Sequence, residues 1–362
     1  MTWRREPWRT LSQERIDRAV NYAAQLPVIG LVGADIPRAL VDEIEAVPFT
    51  ILPDGQEPSQ RSIELLGASA SPEIARILDQ ILDGDLDFLT GVIVSRESQD
   101  TLRLYYVLRM LEKDNALAWP VHYLELLHLD RPSTYMYNQR RLGVARQTVA
   151  RWYQQRCSIA PSYHPDAWSQ VARIHHALEL TRETSQCRGS EFVEELAQAS
   201  SCSLDDALQR AMSWKPVTDQ GLPVLLTGSR TWTSAVHERI ESTGRRVVGE
   251  DHAGGALATS LRPEPRGNTP ERDLELAIAV TRWGAASATS SSADRAEYLD
   301  QLLGTHPVSE VIAVLQTWDQ AAAWDIPAQQ SVCQQRDVEL RIVHGSEQIE
   351  LNVGQQLKEE IR

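Results

Sequence analysis

"LTGVIVSRESQDTLRLYYVL", Leu89 to Leu108, changes its pattern twice, and those changes decide the fold. The short apolar run around "GVIV" reads as a strand buried on both faces, "SRESQD" as a polar turn, and the remainder as a helix. The same design recurs in "PVIGLVGADIPRALVDEIEA" (27–46), "PVLLTGSRTWTSAVHERIEST" (223–243) and "SEVIAVLQTWDQAAAWDIPAQQ" (309–330). Strands alternating with helices mean βα units and parallel sheets. "WPVHYLEL" (119–126), "RRVVGEDH" (245–252) and "VELRIVHG" (338–345) supply further strands where a crossover should return to its sheet.

Between these groups, "YNQRRLGVARQTVARWYQQR" (137–156), "DAWSQVARIHHALELTRE" (166–183) and "SEFVEELAQA" (190–199) carry helical spacing without strand-like alternation. The expected fold is α/β: two Rossmann-like open parallel-sheet domains with a helical layer between them. Residues 1–25 are read as an N-terminal helical arm, 26–134 as the first α/β domain, 135–215 as the helical connecting region and 216–362 as the second α/β domain. "SLDDALQRA" opens on a serine cap, and "TPERDLELAIAVTRW" on threonine, proline and glutamate, both good helix starts. The small-residue stretch "GAASATSSSADRAEY" is expected to be a turn between helices.

Composition narrows the function. The 362 residues suffice for two domains, and 50 acidic against 36 basic residues give a formal charge of -14, which lacks the basic stripe a phosphate backbone requires. Nucleic acid is therefore not an expected partner. With no apolar run of membrane length and no apolar core in "MTWRREPWRTLSQERIDRAV", neither a membrane span nor a secretory leader is expected, and the cytoplasm is the expected location. Cys157, Cys187, Cys202 and Cys333 form no C-x-x-C pair, so neither a disulfide framework nor a zinc ribbon is indicated. The ten scattered tryptophans read as core and interface anchors.

In open parallel sheets, ligands bind beyond the carboxyl ends of the strands. This singles out Gly33 to Asp35, Ser95 to Asp100, Thr227 to Arg230 and Gln316 to Asp319. No G-x-G-x-x-G, Walker A, G-x-S-x-G or H-E-x-x-H pattern is present. "LLTGSRT" offers Thr227, Gly228 and Ser229 at a helix start, where an anion could bind or the turn could simply cap its helix. His175 and His176 point to different helix faces, and His122, His128, His252 and His344 lack carboxylates or thiols at ligand spacing, so all are read as packed polar residues. Asp100, Asp251 and Asp319 fall at strand ends, as helix caps or as acid–base candidates.

The series of segments "IGLVGADIPRALVDEIEAVPFTIL", "GVIVSRESQDTLRLYYVL", "PVHYLELLHLDRP", "VLLTGSRTWTSAVHERIESTGRRVVGEDHAGGAL" and "VIAVLQTWDQAAAWDIP" resembles, in order and over nearly the whole chain, the 2-hydroxyacyl-CoA dehydratase and benzoyl-CoA reductase subunit family. The resemblance implies paired subunits, a [4Fe-4S] cluster held between two Rossmann-like domains, and one-electron chemistry on a CoA thioester. It also implies three cluster cysteines, at positions that here hold Ser71, Ser98 or Gln99, and Trp318, the last in the family's C-terminal C-D pattern. Hydroxyl, amide and indole groups cannot replace thiolates on such a cluster. "ARIHHALEL" departs from the family's asparagine and arginine pattern, and with it from the ordinary acyl-CoA contacts.

The expectation is therefore a cluster-free subunit with no cofactor of its own. It pairs with a homologous cluster-bearing subunit, or with itself, and shapes an acyl-CoA site from Ser95, Ser98, Gln99, Asp100, Thr227, Gly228, Ser229, Asp251, Trp318 and Asp319. The alternatives are an independent redox-neutral enzyme on an acyl-CoA or carboxylate, and a non-catalytic interaction or regulatory protein.

Overall fold

The structure is a computed structural model, described for residues 6–54, 57–252, 254–260, 270–283 and 290–345. The turn expected at 284–289 and the cap expected at Thr269 lie outside these residues. In chain order the elements are α1 (Glu6–Ala23), β1 (Val28–Val32), α2 (Ala39–Asp42), β2 (Val47–Thr50), α3 (Gln60–Leu66), α4 (Pro72–Leu82), β3 (Gly91–Ser95), α5 (Gln99–Lys113), β4 (Val121–Leu124), α6 (Pro132–Cys157) and α7 (Ala167–Ser185). There follow α8 (Gly189–Ala199), α9 (Leu204–Ser213), β5 (Leu222–Gly228), α10 (Ala235–Glu241), β6 (Arg245–Glu250), α11 (Ala256–Ser260), α12 (Pro270–Trp283), α13 (Ser292–Thr305), β7 (Glu310–Gln316), α14 (Gln320–Gln335) and β8 (Glu339–Gly345).

Two four-stranded, all-parallel sheets result, in the orders β2-β1-β3-β4 and β6-β5-β7-β8. The α/β class with two parallel-sheet domains is thus established. Two compact units contain them: among the described residues, those of 6–175, 197–212 and 270–282 form one, and those of 176–196, 213–260 and 283–345 the other. The helices of 135–215 are shared out between these units.

In the first unit, β1 and β3 are buried at every position, as their apolar runs require. β2 carries Pro48, which has no N–H to donate and is tolerated because the strand lies at the sheet edge. Glu43 ties distant helices to the turn after α2: its buried carboxylate accepts from Trp168 Nε1 (2.7 Å), Arg146 Nε (2.8 Å) and Arg272. Removing one partner of such a buried pair costs about 3–5 kcal/mol.

The second unit is apolar on both sheet faces. Val236 and Ile240 of α10 pack with Val224, Leu226, Val247, Ile312, Val314 and Val343. Leu299 and Leu302 of α13 and Cys333 of α14 pack with Leu225 and Val311. Each such fully buried aliphatic side chain contributes about 1.5–3 kcal/mol relative to exposure.

Candidate functional site

Strand order reverses between β1 and β3, which makes the crevice beyond their carboxyl ends the natural ligand position of the first unit. Gly33 turns the chain there with φ of +118°, and a Cβ on it would lie 1.9 Å from Ser95 Oγ. The Ala34 N–H, which a phosphate would take at such a turn, instead donates to Glu97 Oε2 at 2.8 Å. Ser95 is fully buried, and its Oγ accepts from Glu97 N at 3.3 Å.

Asp35 is also buried here, and neither of its carboxylate oxygens accepts a hydrogen bond. His128, on the segment after β4, places Nε2 3.5 Å from Asp35 Oδ2. The sequence offers His128 no carboxylate at ligand spacing; the fold brings Asp35 to it. The two residues lie far apart in the chain, and only the parallel pairing of β1, β3 and β4 brings their strand ends together.

The turn "SRESQD" holds mostly itself. Ser98 caps α5 by accepting from Thr101 N (3.1 Å), while Thr101 Oγ1 accepts from Ser98 N (3.0 Å). Gln99 is exposed in the first turn of α5, and Asp100 Oδ2 accepts from Ser71 N at 2.9 Å. Ser71 in turn caps α4, its Oγ accepting from Ile74 N. Two of the turns in which the family resemblance implies cluster thiolates are therefore neighbours, and both hydroxyls serve as helix caps.

These donors do not fit an iron-sulfur cluster. Trp318 is half-buried before Asp319, whose side chain caps α14 by accepting from Ala322 N. The four thiols lie elsewhere: Cys157 ends α6, Cys187 forms an isolated bridge with Thr218, and Cys202 Sγ accepts from Arg18 Nη1 at 2.7 Å. Cys333 sits in the apolar core, where burial pushes its thiol up to about 11. Among the described residues, no group of three or more His, Cys, Asp or Glu side chains is arranged to hold a metal ion.

In the second unit the reversal falls between β5 and β7, and polar side chains of the unit bond one another across its strand ends. Gly228, at φ +100°, has no room for a Cβ, which would meet the Val314 carbonyl oxygen at 2.4 Å. Ser229 donates its N–H to Val314 O (2.8 Å), and its Oγ accepts from Gln316 N (3.0 Å). Thr227 Oγ1 donates to Asp251 Oδ2 at 2.6 Å, and Gln329 Nε2 donates to both at 2.8 and 2.9 Å. Arg295 completes the set, reaching Asp251, Asp325 and the Gly228 carbonyl. Asp251 is thus not a helix cap. Burial pushes its carboxyl up, against the pull of Arg295 and Thr227.

Next to it, fully buried Glu250 accepts from Arg182 (2.6 and 2.9 Å) and lies 3.0 Å from His237 Nε2. Against the cost of burial, Arg182 and His237 hold Glu250 well below the usual carboxylate range. His252, paired with Thr231 Oγ1 at 3.2 Å, is driven down to about 3 by burial and by the nearby His237, Arg230 and Arg295. Sequence reading misses Arg182, His237, Glu250, Arg295 and Gln329, because each partner comes from a different element and no local spacing announces them. His122 and His344 lie within β4 and β8.

No protein-family model matches the chain, and no curated protein matches it in sequence. The fold and its strand ends define an α/β protein with two parallel-sheet units. Most of its turn residues are bonded internally, with the carboxylate of Asp35 standing apart. No described helix is long and apolar enough to cross a membrane.

Proposed function

We propose that the chain is a cluster-free subunit of the 2-hydroxyacyl-CoA dehydratase type, which pairs in the cytoplasm with a homologous cluster-bearing subunit and shapes its acyl-thioester site. The observation that carries this reading is the Ser71 N to Asp100 Oδ2 hydrogen bond. It joins two turns that the resemblance relates to cluster ligands, while Ser71 and Ser98 offer only hydroxyls already engaged as caps. A scaffold kept without its cofactor is free to serve assembly.

The test is anaerobic co-expression of the tagged full chain with a cluster-bearing member of that family, followed by size-exclusion chromatography and iron and sulfide assays. A one-to-one complex whose iron stays with the partner is expected. Stoichiometric iron and sulfide on this chain alone, or its elution without the partner, would refute the proposal.

A further inference from the structure

Several buried carboxylates among the described residues are paired with arginines. Asp42 is held by Arg38, Glu43 by Arg146 and Arg272, Glu250 by Arg182, Asp251 and Asp325 by Arg295, and Glu310 by Arg245 and Arg341. Glu241 accepts from Gly189 N and Ser190 Oγ instead, and Glu97 from Ala34 N. Asp35 has neither arrangement. It is 2 % exposed, neither Oδ1 nor Oδ2 accepts a hydrogen bond, and the closest basic group is the His128 imidazole, 3.5 Å away with its own Nδ1 buried and unpartnered.

A buried carboxylate without donors is costly to desolvate, and such a group in a folded chain calls for an explanation. The position fits a use. Asp35 lies at the strand-order reversal of its sheet, beside the half-buried Ala34, with Ser95 Oγ across Gly33 and the exposed Leu127 and Leu129 flanking His128. A divalent metal is the poorer match, since the described residues offer no three-ligand set.

We propose that Asp35 anchors a binding site for a small organic cation whose N–H groups fill both carboxylate oxygens, as arginines do at Asp42, Glu43 and Glu250, with His128 and Ser95 flanking the ligand. The shared chemistry is that of a guanidinium or a primary ammonium. The planar guanidinium is the better match because it can engage two carboxylate oxygens at once. This site is independent of the subunit reading and stands or falls separately from it.

The experiment is thermal unfolding of the full chain with methylguanidinium, n-butylammonium or magnesium ions at millimolar concentration and matched ionic strength, repeated on Asp35→Asn. A saturable rise in Tm with an organic cation, absent with magnesium and lost in Asp35→Asn, is expected. Saturation by methylguanidinium at the lower concentration assigns a guanidinium ligand, and the reverse order a primary ammonium. Without any probe, Asp35→Asn should melt no lower than the wild type, because neither carboxylate oxygen accepts a hydrogen bond that the amide would lose, whereas Asp251→Asn should melt several degrees lower. No saturable response to either cation, the same response in Asp35→Asn, or a large drop in its unliganded Tm would overturn the proposal.

Discussion

Gly33 and Gly228 stand at matching places, each at the end of a strand flanking the reversal of its sheet, yet a side chain would meet different obstacles. Both have positive φ, which an alanine adopts at a cost of about 1–3 kcal/mol. At Gly228 the added methyl would also collide with the Val314 carbonyl, a fixed part of β7. At Gly33 it would meet Ser95 Oγ, a side-chain atom that can rotate at the loss of its Glu97 N contact, and Ser95 Cβ at 3.0 Å. Gly228→Ala should therefore destabilise the second unit by more than Gly33→Ala destabilises the first, read as loss of hydrogen-exchange protection in β5 and β1 respectively. Equal losses would show that φ alone sets the penalty.

Helix starts are where the element scale meets the candidate site. Ser71 and Ser98 each satisfy a backbone N–H at the first turn of their helices, so alanine at either should cost about 0.5–2 kcal/mol in urea unfolding. Ser98→Asp, which keeps an accepting oxygen, should retain most of the stability. If Ser98→Ala and Ser71→Ala are both neutral, the hydroxyls do not serve as caps. The strands were legible because "GVIV" and "VIAVL" are buried on both faces and so read as unbroken apolar runs. β2 was harder to see: its four residues include a proline and show no alternation. The strand-end turns are legible in the sequence, but their bonds are not. Asp35 meets His128, and Asp251 meets Thr227, Gln329 and Arg295, through strand order and helix packing rather than through any local spacing.

At the scale of the whole molecule, the buried ionisable groups set how stability responds to acid. His252 is neutral in the folded chain down to about pH 3, whereas an exposed imidazole takes up its proton near 6.5. Between those values the unfolded chain binds the additional proton, so stability falls as pH drops from about 6.5 toward 3, by up to ~1.4 kcal/mol per pH unit. His122, lowered to about 4 by burial and by Arg141 and Arg151, acts in the same direction. Glu250, held far down, adds its own loss as pH falls below the ordinary glutamate range. Asp251 acts in the opposite sense, because burial raises its carboxyl, so total slopes mix several groups. Comparing the chain with His252→Gln isolates the histidine: the wild-type urea midpoint should fall between pH 7 and pH 5, and the variant's should fall less. The His252 ring proton should also show no titration shift in NMR spectra over that range. A His252 resonance titrating near 6.5 would mean that its imidazole is hydrated in solution, and the packing of the Glu250, His237 and Arg182 cluster around it would need to be redrawn.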